Sequence, residues 1–261
     1  MEFIDELQVI EFIKNHQKTP SWIDKARKDS KVLNALITGK DFDKVLIEKI
    51  EKIESDARKV AREKYSKDIR DMFDRVMKPR TNVFSASGGS IHNDISSEKL
   101  KDKFIRSLNH FKGQKSIKKY LSEDFFRLGD TDPNGLIFLE YKEDINIWPT
   151  YKSTNDIRFY ISNGQLLEVL LFEPEMVLSA DGKVSKMIWR VVDDKKEYRV
   201  EQMGSEFRVM EEGTFEHQFG NVPATILSDR QETGSELRIS SIFPIIPLAE
   251  DYARDKSVLT I

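Results

Sequence analysis

The chain has 261 residues, of which 39% are hydrophobic and 33% are charged, so it can bury a core of ordinary size in one or two domains and is not disordered by composition. Its 42 Lys and Arg face 45 Asp and Glu, a net charge of -3 that excludes attraction to nucleic acid or acidic lipid through bulk charge. The absence of cysteine excludes a disulfide framework, a thiolate zinc site, an iron–sulfur cluster and a cysteine nucleophile.

The first part of the chain has helical spacing. Phe3, Leu7, Ile10 and Ile13 recur on one face of a predicted helix, which ends before Pro20. Gly39 and Asp41 then mark the boundary between two further helices, since Gly closes helices and Asp caps them. Apolar residues continue at helical spacing over 45–76 without Gly or Pro, which predicts one long helix or two nearly collinear ones.

Residues 85–90 are small and predict a hinge. Residues 98–121 after it predict a locally basic helix, in which eight Lys and Arg face only Glu98 and Asp102. A solvated helix face explains these cations, and contacts with a phosphate backbone are the alternative.

From about residue 125 the sequence changes to short strands joined by tight turns. Asp132-Pro133-Asn134-Gly135 is a strong turn. Because no helices separate the strands, we expect an antiparallel meander. Residues 235–261 predict a C-terminal helix that Pro244 and Pro247 bend or delay. The fold class is therefore α+β: a helical arm with a long helix, a mainly antiparallel β-meander and a C-terminal helix. The predicted strands cover residues 136–141, 146–149, 157–161, 166–172, 187–192, 198–202, 207–210 and 222–227.

One pattern suggests catalysis. Asp132, or Asp130, is followed by Glu140 and Lys142, and many nucleases hold Mg²⁺ between two carboxylates while a lysine supports the attacking water. Alternation along a strand puts Glu140 and Lys142 on one face, but a surface ion pair explains them equally well. A nuclease using these residues is the alternative hypothesis for the function.

Other site motifs are weaker. Asp130, Asp132, Asn134 and Gly135 imitate the start of a calcium loop, but the acidic residue that should close it arrives one position early and turn chemistry explains the residues. The four histidines are isolated in sequence, and hydrolase and dinucleotide motifs are absent. We assign no metal, no cofactor and no catalytic residue outside the nuclease alternative.

Several segments form an ordered series along the chain. They are 147–160, 219–224, 234–237 and 252–257, with 65–71 and 80–89 upstream. In this order the later segments resemble tailed-bacteriophage portal proteins, in which a strand ends in a proline before a short loop and a β-meander, and then come a Gly-x-x-Pro strand, a Ser-x-Leu turn and a helix. The two upstream segments resemble the N-terminal arm of a subgroup from phages and prophages of Bacteroidetes-like hosts.

The resemblance implies a structural protein of the virion, present in the host cytoplasm during assembly, and not an enzyme. Portal subunits form a ring of about twelve copies at one capsid vertex. The ring conducts double-stranded DNA without sequence specificity and contacts the large terminase subunit, the capsid and the head-completion or tail proteins. No membrane partner is implied, and no apolar run in the sequence approaches the about 18 residues of a membrane span.

The resemblance also divides the chain. Residues 1–90 correspond to a helical arm and hinge, 91–232 to an α+β wing-like core, and 233–261 to a helix leading toward the stem. Portal proteins continue into a stem, clip and crown, so we expect this chain to be an N-terminal fragment. The resemblance implies no DNA-contact residue.

Overall fold

The computed structural model describes residues 3, 5–38, 96–98, 101–102, 119, 126–142, 146–164, 166–179, 182, 184–217, 219–228, 232, 235–240 and 247. The chain divides into two units. The first comprises Met1–Arg27, Asn134–Glu140 and Thr150–Leu237, and the second Lys28–Pro133, Tyr141–Pro149 and Arg238–Ile261. The described strands and two hydrophobic clusters lie mainly in the first unit.

Three α-helices are described: α1 (Glu6–Asn15), α2 (Ser21–Thr38) and α3 (Phe126–Thr131). Helix α1 is capped by Asp5, whose carboxylate accepts a hydrogen bond from the Gln8 amide at 2.9 Å. Pro20 lies between α1 and α2, as the predicted end of the first helix before Pro20 requires, and α2 begins directly after it. The predicted apolar face of α1 is partly wrong. Leu7 is 75% exposed, and Val9 and Phe12 are buried beside Ile13.

In the described part of the chain, nine strands form one sheet in the order β2-β1-β9-β4-β6-β7-β8, while β3 pairs with β4 and β5 pairs with β6. The pairings of β1 with β9, β4 with β3, β6 and β9, β6 with β5 and β7, and β7 with β8 are antiparallel. The α+β class with a mainly antiparallel sheet is therefore confirmed. The strands are β1 (Leu136–Lys142), β2 (Asn146–Lys152), β3 (Ile157–Asn163), β4 (Leu166–Phe172), β5 (Glu175–Leu178), β6 (Val184–Val192), β7 (Lys196–Met203), β8 (Glu206–Glu216) and β9 (Ala224–Ile226).

The second half of strand β4 is buried on both faces of the sheet. Its residues 169–171 are fully buried, which explains why the strand is a nearly continuous apolar run. On one face, Leu170 and Phe172 pack with Tyr160 and with Ile23 from the first turn of α2. On the other face, residues 169 and 171 pack with residues of α1, of which Phe12 and Ile13 are buried.

A one-turn 3-10 helix (Thr154–Asp156) connects β2 to β3. The Asp156 carboxylate caps its start, since it accepts hydrogen bonds from the amide and the hydroxyl of Ser153, each at 2.8 Å. The sequence predicts a proline-containing strand, a short loop and a second strand over 147–160. The structure has β2, this one-turn helix and β3 there.

Some predictions fall outside the described residues. These are the long helix over 45–76, the hinge at 85–90 and most of the basic helix over 98–121. The C-terminal helix is not confirmed. Residues 235–240 form bends and a short bridge instead of a helix, and residues 241–246 and 248–261 lie outside the described part. No helix in the described residues is long and apolar enough to cross a membrane.

Candidate functional site

The structure divides the predicted nuclease residues between the two units. Glu140 lies on β1 in the first unit, whereas Asp132 and Lys142 belong to the second. Asp132 is buried directly after α3, and its amide donates to the Leu128 carbonyl at 2.7 Å. The side chain of Lys142 lies outside the described part of the chain. Only Glu140 therefore offers a site geometry that can be characterised in detail.

Glu140 is held by two cations of the first unit. Arg190 of β6 donates from its two terminal nitrogens to the two carboxylate oxygens at 3.1 and 2.9 Å, a bidentate pair. Lys152, at the end of β2, places its Nζ 2.7 Å from Oε1 of the same carboxylate. All three side chains are mostly buried, so water screens these contacts less than it screens a surface ion pair.

Arg190 has a second carboxylate partner. Glu197 of β7 accepts hydrogen bonds from Nε at 2.6 Å and from Nη2 at 2.9 Å, and its side chain is almost fully buried. The guanidinium lies over the rings of Phe138 and Phe172, 4.7 and 4.9 Å from their centres, which adds cation–π contacts. We call Glu140, Lys152, Arg190 and Glu197 the Arg190 network.

The network shifts the pKa of Glu140 and the pKa of Arg190. Burial alone would raise the pKa of Glu140, but the hydrogen bonds and charges of Arg190 and Lys152 outweigh burial and lower its pKa from 4.5 to about 2. Burial would lower the pKa of Arg190, and its hydrogen bonds to Glu197 and Glu140 instead raise that pKa above its ordinary value. Both groups are therefore charged throughout the neutral range.

This arrangement is suited to joining strands. The carboxylate of Glu140 already receives three short contacts, so a divalent cation bound there would have to displace Lys152 or Arg190. A general base needs a pKa near the working pH, and a pKa of about 2 makes Glu140 a weak base. As observed, Glu140 links β1 to β2 and β6 electrostatically.

The calcium-like segment is also buried. Asp130 and Thr131 belong to helix α3, where the Thr131 hydroxyl donates to the Arg127 carbonyl at 2.9 Å. The loop that the calcium hypothesis required thus begins as helix. Among the residues that the structure describes, no group of three or more His, Asp and Glu side chains is placed to hold a metal ion.

A second buried ion cluster fixes the connection between α1 and α2 to the sheet. Glu173, directly after β4, pairs with Arg27 of α2 and accepts from Arg158 of β3 at 2.6 Å. Arg158 also donates to the Gln17 carbonyl and to the Thr19 hydroxyl, each at 2.8 Å. The start of the predicted helical arm is thus bound to the sheet by charged groups as well as by the apolar residues of α1.

Asp193 organises the turn between β6 and β7. The fully buried carboxylate accepts from the amides of Lys195 and Lys196 at 2.8 and 2.6 Å and from the amide of Phe3 at 3.1 Å. The His217 ring contacts the Asp193 carbonyl through Nε2 at 3.1 Å, and the His16 ring contacts the Phe12 carbonyl through Nδ1 at 2.8 Å. Both rings thus contact backbone carbonyls; His92 and His110 lie outside the described part.

The sequence interpretation missed Arg190, Glu197 and Lys152. Arg190 carries a detectable signal, because it is a charged residue inside the apolar segment 187–192, and buried charges are normally paired. Its partner Glu140 is not detectable in the same way. Glu140 lies on β1, which reaches Arg190 only through the pairing order of the sheet.

No protein-family model and no curated protein matches this chain. Its function therefore has to be inferred from its own sequence segments and from the contacts of its described residues.

Proposed function

We propose that this chain is the arm and wing part of a portal subunit from a tailed phage or prophage. In this role it is a structural component of the ring at one capsid vertex, through which double-stranded DNA is packaged and ejected. The observation that carries the proposal is the order of the sequence segments 147–160, 219–224, 234–237 and 252–257. The terminase, the capsid and the head-completion or tail proteins are the partners that this role requires.

Two features of the fold support the proposal. Segment 147–160 runs from a strand that contains Pro149 through a one-turn helix into β3, and the next strands form a mainly antiparallel sheet. Segment 219–224 passes through Gly220, whose φ of 70° suits glycine, into β9. The charged groups characterised in the first unit connect elements of the fold, as expected for a scaffold.

The gene context and the assembly state test this proposal. We expect the reading frame to continue beyond codon 261 into further helices and a large-terminase gene to lie beside it. The full-length product should form closed rings of about twelve copies in negative-stain electron microscopy. A stop codon after Ile261 without neighbouring packaging genes, or a full-length product that remains monomeric, would overturn the proposal.

The nuclease alternative needs a matched pair of variants. Plasmid cleavage should be measured with Mg²⁺ for the wild type, Glu140→Gln and Glu197→Gln. Both variants remove one carboxylate from Arg190, but only the first changes a proposed metal ligand. Under the portal proposal none of the three proteins cleaves DNA. Cleavage that is lost in Glu140→Gln and kept in Glu197→Gln would establish the nuclease instead.

A further inference from the structure

A cleft of about 370 Å³ lies in the first unit beside the Arg190 network. Its lining includes three cations, Lys152, Arg190 and Arg199, together with the ring of Phe172. Arg190 and Lys152 are already paired with carboxylates of the network. Arg199 is therefore the cation whose surroundings decide what the cleft can bind.

Arg199 of β7 is placed directly opposite Arg190 of β6 in the antiparallel register. Like charges in directly opposite positions repel each other and destabilise a strand pair. Two carboxylates compensate Arg190. The Arg199 guanidinium makes no hydrogen bond or ion pair with the residues that the structure describes, and the only hydrogen bond of Arg199 outside the strand ladder joins its backbone amide to the Thr214 hydroxyl at 3.0 Å.

Gly213 of β8 provides the space in which the Arg199 side chain lies. A Cβ at position 213 would be 2.5 Å from Cδ and 2.9 Å from Nε of Arg199. The pairing of β7 with β8 is irregular at this place, where the register shifts between Glu197 and Arg199. The backbone of β8 thus accommodates a partly buried arginine for which the described protein supplies no anion.

The carboxylates that line the cleft do not fill this role. Glu173 is neutralised by Arg27 and Arg158, and the Asp156 carboxylate caps the 3-10 helix. Glu175 is exposed on the short strand β5 and makes no ion pair within the described part of the chain. An anion that enters the cleft can therefore pair with the Arg199 guanidinium without displacing one of these carboxylates.

We propose that the cleft binds an oxyanion, a carboxylate or a phosphate group, through the guanidinium of Arg199. The planar guanidinium presents parallel N–H donors that match the two oxygens of such a group, and a partly buried position strengthens each charged hydrogen bond. The bound anion would also offset the repulsion between Arg199 and Arg190. This inference does not depend on the proposed role in a portal ring.

The test measures thermal unfolding of the wild type, Arg199→Gln and Arg208→Gln in sodium acetate, sodium phosphate and sodium chloride at one ionic strength. A ligand that binds only the folded state raises Tm in a saturable manner. Arg208 is the matched control, because it is an exposed arginine on the neighbouring strand β8 and does not line the cleft. Acetate tests for a carboxylate ligand and phosphate for a phosphate ligand.

We expect acetate or phosphate to raise the Tm of the wild type and of Arg208→Gln above the value in chloride by more than it raises the Tm of Arg199→Gln, since phosphate also stabilises folded proteins by its exclusion from their surface. Arg199→Lys keeps the charge but loses the planar fork, so it should bind about tenfold more weakly. Either anion acting through Arg199 supports the proposal and identifies the ligand class. Equal Tm values in all three salts, or an equal response of Arg199→Gln and the wild type, would overturn it. Should Arg199→Gln fail to fold by circular dichroism, Arg199→Lys decides the same question.

Discussion

Glu140 and Glu197 bind two edges of the same guanidinium. Glu140 contacts the two terminal nitrogens of Arg190, and Glu197 contacts Nε and one of those terminal nitrogens. Three strands, β1, β6 and β7, are thereby joined through one side chain. The geometry leads to a first prediction about stability.

Replacing Arg190 by Met should destabilise the protein by about 3 kcal/mol, because the change removes the cation paired with the buried Glu197 and leaves Glu140 with Lys152 alone. Urea unfolding followed by circular dichroism measures the effect. The control is Glu216→Gln, which removes an ion pair at 3.6 Å in which the glutamate is 79% exposed. The control should cost at most about 0.5 kcal/mol. Equal effects of the two substitutions would show that the Arg190 network is not a stabilising element.

The lowered pKa of Glu140 predicts a pH window. A carboxylate with a folded pKa of about 2 and an ordinary value of 4.5 stabilises the fold above pH 4.5, and this contribution is lost as the pH falls toward 2. The wild type should therefore exceed Glu140→Gln in free energy of unfolding at pH 6, and the difference should shrink between pH 4.5 and 2. Chemical unfolding at a series of pH values measures both proteins. A difference that is constant across that window would contradict the assigned pKa.

Asp193 should be the most sensitive position of the β6–β7 turn. Asp193→Ala removes the acceptor of three backbone amides, one in a buried contact and two in partly buried contacts, so we expect a loss of about 3 kcal/mol. Removing the exposed helix cap with Asp5→Ala should cost only about 1 kcal/mol. Because one of the three amides belongs to Phe3, limited proteolysis should also cut the N-terminus of Asp193→Ala sooner. An unchanged cutting rate would argue against this anchor.

Gly213 and Arg199 should be energetically coupled. Gly213→Ala combines an unfavourable φ of 83° with a contact of 2.5 Å to Cδ of Arg199, and we expect a loss of about 2 kcal/mol. Gly182→Ala has a similar φ of 78° with nothing within 4 Å, so only the backbone strain of about 1 kcal/mol remains. In the background Arg199→Ala, Gly213→Ala should become as mild as Gly182→Ala. A double-mutant cycle without coupling would mean that the two residues do not share this space.

The sequence predicts much of the sheet because the strands carry local signals. The apolar run over 166–172 predicts a strand with the observed bounds, since a short apolar run between turns is typical of a strand buried on both faces. Strand β5 escapes prediction, because its four residues come directly after Pro174 and are mainly exposed, so they lack an alternating pattern. Helix α3 escapes it because six residues that include Gly129 give little helical periodicity.

The candidate site is less predictable than the fold. The pattern Asp132, Glu140 and Lys142 joins only residues close in sequence, whereas Glu140 is held by Arg190, fifty positions away. Such a pairing depends on the order β1-β9-β4-β6, which brings a late strand between two early ones. The spacing of residues along the sequence does not show that β9 pairs between β1 and β4.

The position of β9 in the sheet limits when β1 can join the other strands during protein synthesis. Strand β1 joins β4 only through β9, whose Ile226 pairs with Leu136 and whose Thr225 pairs with both Ile137 and Leu166. The ribosome therefore has to release residue 226 before β1 can enter the sheet. Until then, β1 has β2 as a neighbour but lacks β9, and apolar side chains such as those of Leu136 and Phe138 remain available to a chaperone that shields an extended segment.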